Sequence, residues 1–149
     1  MIKIIDRLPT EEEYRRVRHL ILQYPEQTGH RITDEELAAV LGECLQLEVI
    51  VLSGIPDLSD RTVELLAQTA ANLQGINLNG CVHITDASIL ALVARPPPLQ
   101  WMRLNGVANL TDQSVLAIAA SCPRLMDLEL CGVPLITPLS IKSVWTQLR

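Results

Sequence analysis

Residues 73–94 read LQGINLNGCVHITDASILALVA, and the fold turns on whether this stretch is a site or one unit of a pattern. Cys81, His83 and Asp86 put a thiol, an imidazole and a carboxylate within six residues. That trio would suit a nucleophile or a metal clip. Steps of 26 residues argue otherwise. Thr85-Asp86 is matched by Ser59-Asp60 and Thr33-Asp34 upstream, and by Thr111-Asp112 and Thr137-Pro138 downstream. A second pattern keeps the same period. Leu73, Ile76 and Leu78 repeat as Leu47, Ile50 and Leu52, as Leu99, Met102 and Leu104, and as Leu125, Leu128 and Leu130. Val17, Leu20 and Leu22 form an earlier copy, offset by four residues because a longer loop, YPEQTGHRI, follows it. Behind each Thr or Ser come paired apolar residues: Leu37/Val40, Val63/Leu66, Ile89/Leu92, Val115/Ile118 and Ile141/Val144. The chain is a repeat protein.

Each unit passes from period-2 alternation to apolar spacing of three and four, so each is one strand followed by one helix. Thr85 is then the helix N-cap, with Asp86 in the first turn where the helix dipole favours an anion. The fifth copy places Pro138 at that position, the one helical site that tolerates proline well. Thr33 and Glu36 have the spacing of a capping box. The Thr-Asp column is therefore structural punctuation. One 26-residue unit cannot bury enough apolar surface to fold alone, so the units must stack, with their strands in one parallel sheet. Strands stack about 4.8 Å apart and helices about 8–10 Å apart, so the stack must curve with its strands inside. The expected fold is an α/β right-handed solenoid, a horseshoe with a parallel sheet on the concave side and helices on the convex side.

The 149 residues carry a net charge of −5, which argues against nucleic acid as a partner. No run approaches the ~20 apolar residues of a membrane span, and MIKIIDRLPT has too short an apolar stretch for a signal peptide. There is no Phe, and only two Trp and two Tyr, so the core must be built of small regular layers. The four cysteines lack zinc-ligand spacing and read as reduced thiols, which fits a cytoplasmic or nuclear protein. Cys44 and Cys122 share a column three repeats apart, at least ~14 Å at the sheet spacing, too far for a disulfide. His83 stands where other repeats have Asp57, Asn109 and Leu135, a solvent-facing turn position. No cofactor, metal or catalytic group is expected.

LQGINLNGCVHITDASILALVA and CPRLMDLELCGVPLIT (122–137) resemble the cysteine-containing leucine-rich repeats of F-box proteins, in particular the fungal glucose-repression-resistance and mitotic-exit-antagonist groups. The resemblance covers about residues 17–149, some five leucine-rich repeats, with 1–16 as a partial N-terminal cap. Departures are visible. The helix-end Cys is kept at 44 and 122 but becomes Ala70 and Pro96; the loop Cys is kept at 81 but becomes Ile55, Val107 and Val133. Cys131 comes two positions early. Apolar residues in the Cys column mark Cys81 as a small core residue. The resemblance implies a protein–protein interaction module: the substrate-recognition repeats of an F-box-type ubiquitin ligase subunit. Ligase assembly would run through regions missing here. DRLPTEEEYRRV shares the Leu-Pro opening of an F-box, but three F-box helices cannot fit before the first strand. Thr10 to Glu13 reads as a capping box opening a short helix. Two alternatives stay open: a free-standing repeat inhibitor or scaffold without a ligase link, and a structural fragment of a longer array.

The residues between the strand leucines face the concave surface. One column runs His19, Val49, Gly75, Trp101, Asp127; the next runs Ile21, Val51, Asn77, Arg103, Glu129; a third adds Gln23, Ser53, Asn79, Asn105 and Cys131. A structural column repeats itself, and these change. Trp and Arg are enriched in interface hot spots. The candidate partner-binding residues are Trp101, Arg103, Asn77, Asn79, Asn105, Asp127 and Glu129, although Trp101 could equally lie across the gap left by Gly75. The RPPPL stretch (95–99) keeps the period and reads as a helix stop. At the C-terminus, Trp145 falls in the column of Leu41, Ala67, Val93 and Ala119, which packs against a following repeat. That suggests a longer array, a truncated product or end-to-end self-association.

Overall fold

The structure, a computed structural model, describes residues 2–23, 32–95 and 97–147. Most of the long first loop, Pro96 and Leu148 lie outside the described residues. The elements alternate from one end of the chain to the other. They are β1 (Ile2–Ile5), β2 (Val17–Ile21), α1 (Asp34–Leu41), β3 (Val49–Val51), α2 (Asp60–Thr69), β4 (Gly75–Asn77), α3 (Asp86–Ala94), β5 (Trp101–Arg103), α4 (Asp112–Ser121), β6 (Asp127–Glu129) and α5 (Pro138–Gln147). The strands form one parallel sheet in chain order, β1 to β6. Ile50 pairs with Ile76, Ile76 with Met102 and Met102 with Leu128, so the period of 26 is also the sheet register. Each helix packs on the next, α1 to α5 in turn. The fold is the α/β repeat solenoid that the period predicts.

The core is a file of layers. Leu20, Ile50, Ile76 and Met102 are fully buried, as are Leu22, Leu52, Leu78 and Leu104. Cys81 lies among them with no exposure, in the same slot as Ile55 and Val107, and its thiol donates to Leu52 O at 3.0 Å. Burial pushes the Cys81 thiol up to about 11, so it stays protonated. Cys44 and Cys122 are buried and raised to about 11 for the same reason. After each strand from β3 to β6 the chain turns through a glycine, Gly54, Gly80, Gly106 and Gly132, at φ between 66° and 74°. That left-handed conformation suits glycine. This fourth periodic column is a sequence signal as regular as the Thr-Asp pairs.

Two hydrogen-bonded ladders couple the repeats. The first uses the aspartates. Asp86 accepts from the amide and hydroxyl of Thr111, at 2.9 and 2.6 Å, and from the hydroxyl of Ser114. Asp34 receives Ser59 and Thr62 in the same way, Asp112 receives Thr137 and Ser140, and Asp60 receives Thr85. Thr62, Ser88, Ser114 and Ser140 are fully buried, a polar column made affordable by hydrogen bonding. The sequence reading placed the aspartates at a helix dipole; their larger role is to clamp the next repeat's helix start. Three of the cap hydroxyls accept where expected: Thr85 from Ala87 N, Thr111 from Gln113 N, and Thr33 within a full capping box with Glu36; Ser59 makes no cap bond and donates its hydroxyl to Asp34.

The N-terminal stretch departs from the sequence reading. Residues 2–5 form a strand paired to β2, with Asp6 Oδ1 accepting from Gln23 N at 3.0 Å. Residues 11–16 are consecutive turns in place of the expected helix, although Thr10 N donates to the Glu13 carboxylate as the capping-box pattern required. Arg7 pairs with Glu13 at 2.9 Å, which diverts that carboxylate from helix capping alone. Leu8 and Tyr14 pack on the core.

Candidate functional site: the concave face

The second ladder lies along the concave face, and it uses asparagines. Asn77 Oδ1 accepts from Asn79 N, Asn79 Oδ1 from Asn105 N, and Asn105 Oδ1 from Cys131 N, at 2.9, 2.9 and 2.7 Å. Each carbonyl thus satisfies a backbone donor at the turn after a strand, within its own repeat for Asn77 and in the next repeat for Asn79 and Asn105. Asn77 is itself buried. Three of the seven candidate residues therefore already have structural partners, and what they offer outward is secondary to that work.

Trp101 and Arg103 stand two residues apart on β5, so both side chains leave the same face of the sheet. Gly75 pairs with Trp101 across β4–β5. A Cβ built on Gly75 would come within 2.0 Å of the Trp101 ring, so the indole lies in the space that the glycine leaves. The Arg103 guanidinium carbon sits 5.2 Å from the ring centroid, in cation–π range. Its Nε is 3.4 Å from Glu129 Oε1, while Glu129 Oε2 accepts from Asn105 Nδ2 at 2.7 Å. Trp101, Arg103, Glu129 and Asn105 form one connected cluster. Asp127, exposed on β6, pairs in register with Trp101 and flanks it. Asn77 and Asn79 border the cluster on the β4 side.

At the other end of the face the chemistry changes. Arg18 Nη1 is 2.6 Å from Glu48 Oε1, and His19 Nε2 is 3.9 Å from Glu48 Oε2. Val49 is half-buried and Val51 buried, so the apolar segment offers less surface than its sequence suggests. What the surface presents is an indole seated over Gly75 and a guanidinium beside Glu129.

The trio in CVHITDAS disperses. Cys81 faces the core, His83 is exposed in a parallel bridge with Ser59, and Asp86 is held by the next repeat. No group of three or more His, Cys, Asp or Glu suited to a metal occurs among the described residues. No helix among them is long and apolar enough to cross a membrane.

This geometry defines a leucine-rich-repeat solenoid. A chain of the Rad7–Elc1 complex from yeast has a similar fold: TM-score 0.64 over 78% of this chain, at 20% sequence identity. The present chain spans 37% of that chain's length. No family model matches the sequence, and no curated protein does.

Proposed function

We propose that the chain is a protein-interaction module with no chemistry of its own, and that it holds its partner on the concave face around Trp101 and Arg103. The observation that carries this reading is a contrast between columns. Core, glycine and aspartate positions repeat with the period, whereas the Gly75–Trp101–Asp127 and Asn77–Arg103–Glu129 columns change residue type at each step. A scaffold has no use for that variation; a recognition surface does. Trp101 resting on Gly75 supports the anchor role, because a pre-set indole costs little entropy on binding. By the resemblance of its repeats, the module is the substrate-recognition region of an F-box-type ubiquitin ligase subunit, working in the cytoplasm or nucleus. In this reading the ligase link runs through regions outside these repeats.

The test compares the intact chain with a Trp101→Ala/Arg103→Glu variant of matching circular dichroism. The intact chain should capture a protein that cross-links to concave residues such as His19 and Asp127, and the variant should lose it. Equal capture by both, with cross-links on other surfaces, refutes the site. The ligase link is read separately. Depleting the protein should lengthen the partner's half-life, and an unchanged half-life would favour a free-standing interaction protein.

A further inference from the structure

The asparagine ladder has an outward consequence. A backbone N–H can only donate, so each Asn must turn its carbonyl oxygen towards that donor and its amide nitrogen away. Asn77 and Asn79 do so with Asn79 N and Asn105 N, which leaves two Nδ2 groups on the outer side of the ladder. Neither Nδ2 makes a hydrogen bond among the described residues, although Asn77 is only 5% exposed. The Trp101 Nε1–H, which lies over Gly75, and the two Nη nitrogens of Arg103 are likewise unbonded among these residues. No buried side-chain nitrogen or oxygen among them lacks a partner, so these donors reach the surface. Between β4 and β5 the concave face therefore presents N–H donors, with the matching carbonyls turned inward.

One repeat further on, the same positions show how such donors are satisfied. Asn105 takes the place of Asn79 and Glu129 that of Arg103, 26 residues along in each case. Asn105 Nδ2 donates to Glu129 Oε2 at 2.7 Å, while Arg103 Nε lies 3.4 Å from Glu129 Oε1. A carboxylate thus bridges an asparagine amide and a guanidinium. At β4–β5 the register sets Asn79 beside Arg103 in place of a glutamate, donor beside donor. No acceptor among the described residues fills that place.

We infer that the partner supplies it: the concave face takes an Asp or Glu side chain of a protein segment, whose carboxylate accepts from Asn79 Nδ2 and from the Nη edge of Arg103. The Asn77 amide and the indole N–H lie beside them. This rests on the concave-face reading above and adds the chemistry of the occupant. A carboxylate matches the guanidinium in charge and offers both donors an oxygen. Arg103 meets Glu129 through Nε, so its Nη edge is open to a second carboxylate. A cationic side chain would find donors there and no acceptor. A dianionic phosphate or a polyanion would lie close to Asp127 and Glu129 on the adjacent β6, in a chain of net charge −5.

The test probes immobilised peptides with the full chain at low ionic strength, where exposed charges are least screened. The peptides have random sequence around one fixed central residue: Glu, Gln, phosphoserine or Lys. The Glu set should retain the chain, and the Gln and Lys sets should not. Asn79→Asp keeps an oxygen to accept from Asn105 N but replaces the outward amide with a second oxygen. The ladder survives and the donor is lost. This variant sets a carboxylate beside Arg103 within the chain itself, and it should weaken retention about tenfold or more at unchanged circular dichroism. Retention by the phosphoserine set alone, by the Lys set, by Glu and Gln sets equally, or by no set overturns the inference. So does an Asn79→Asp chain that binds as the wild type does. The concave-face reading is judged separately. If the protein captured in the preceding test is lost by Trp101→Ala/Arg103→Glu but kept by Asn79→Asp, the concave site stands and the carboxylate inference falls.

Discussion

The convex-side clamp and the concave face are laid down by the same repeat, and they differ in what each repeat preserves. At the helix starts, Asp34, Asp60, Asp86 and Asp112 bind the Thr or Ser 25 residues ahead through nearly the same contacts. On the strands, the positions facing the concave side pass from Val to Gly to Trp to Asp in successive units. The difference separates two kinds of work. A joint between repeats has one geometry and so one solution, repeated; a surface that meets a foreign molecule has no reason to repeat.

The comparison is most strongly tested where a repeating position is removed. Asp86→Ala leaves the buried Ser114 hydroxyl and the Thr111 amide and hydroxyl without their acceptor. An unsatisfied buried donor costs about 1–3 kcal/mol, so this loss at the middle of the array should be on the order of 3 kcal/mol in chemical denaturation. Asp112→Ala removes the same contacts from the last joint, where the two from Thr137 are exposed and only the one from Ser140 is partly buried, and should cost less. In a one-dimensional stack a central joint couples two multi-repeat halves, whereas a terminal joint frays one unit. Equal losses at the two sites would mean that the joints do not act as independent couplings.

A smaller effect tests the variable side. Gly75→Ala brings a Cβ into the Trp101 ring, so the indole must leave its seat. The cost should be about 1 kcal/mol, at the low end for an overpacked site, because a half-exposed ring can swing outward. Repeating the substitution in a Trp101→Ala background should reverse its sign, since alanine is the better strand residue once the ring is gone. If Gly75→Ala costs the same in both backgrounds, the two residues are not a coupled pair. The variable columns would then lack the one pre-set anchor that sets them apart from ordinary surface.

How much of this was legible in the sequence follows the same division. The period, the strand–helix order, the cap at Thr33 and the core slot of Cys81 could all be read, because each is a column with an apolar or capping residue in every unit. The glycines at 54, 80, 106 and 132 and the buried Thr62, Ser88, Ser114 and Ser140 are equally periodic but passed unread; their residue types are common in loops and solvent-facing turns. The direction in which a side chain works was not legible. Asp86 looked like a local helix-dipole residue, and Asn79 and Asn105 looked like free surface, because a contact 25 or 26 residues away leaves no mark in a single unit. Residues 10–16 carry a helix-opening pattern and form turns instead, since Arg7 and the paired strand β1 hold Glu13 in another geometry.

The smallest effect is in acid, and it also separates the two regions. Burial pushes the Asp86 carboxyl up, but hydrogen bonds from Ser114 and Thr111 together outweigh it and hold the group below its usual value. At Asp34 burial is likewise outweighed, by Ser59 and Thr62, and at Asp112 Ser140 and Thr137 lower the carboxyl. A carboxyl depressed in the folded state adds stability that is fully present above its unfolded value, near pH 4, and is lost as pH falls through the lower folded value. The ladder should therefore contribute a constant amount from pH 7 to about 5 and weaken below about 4. Asp86→Asn should lower stability at neutral pH and flatten the loss between pH 5 and 3, as read from urea midpoints. Trp101→Ala changes no titratable group, leaves the ladder intact and should follow the wild-type acid curve. If Asp86→Asn and wild type fall in parallel, the acid sensitivity resides elsewhere, and the aspartate ladder acts through geometry alone.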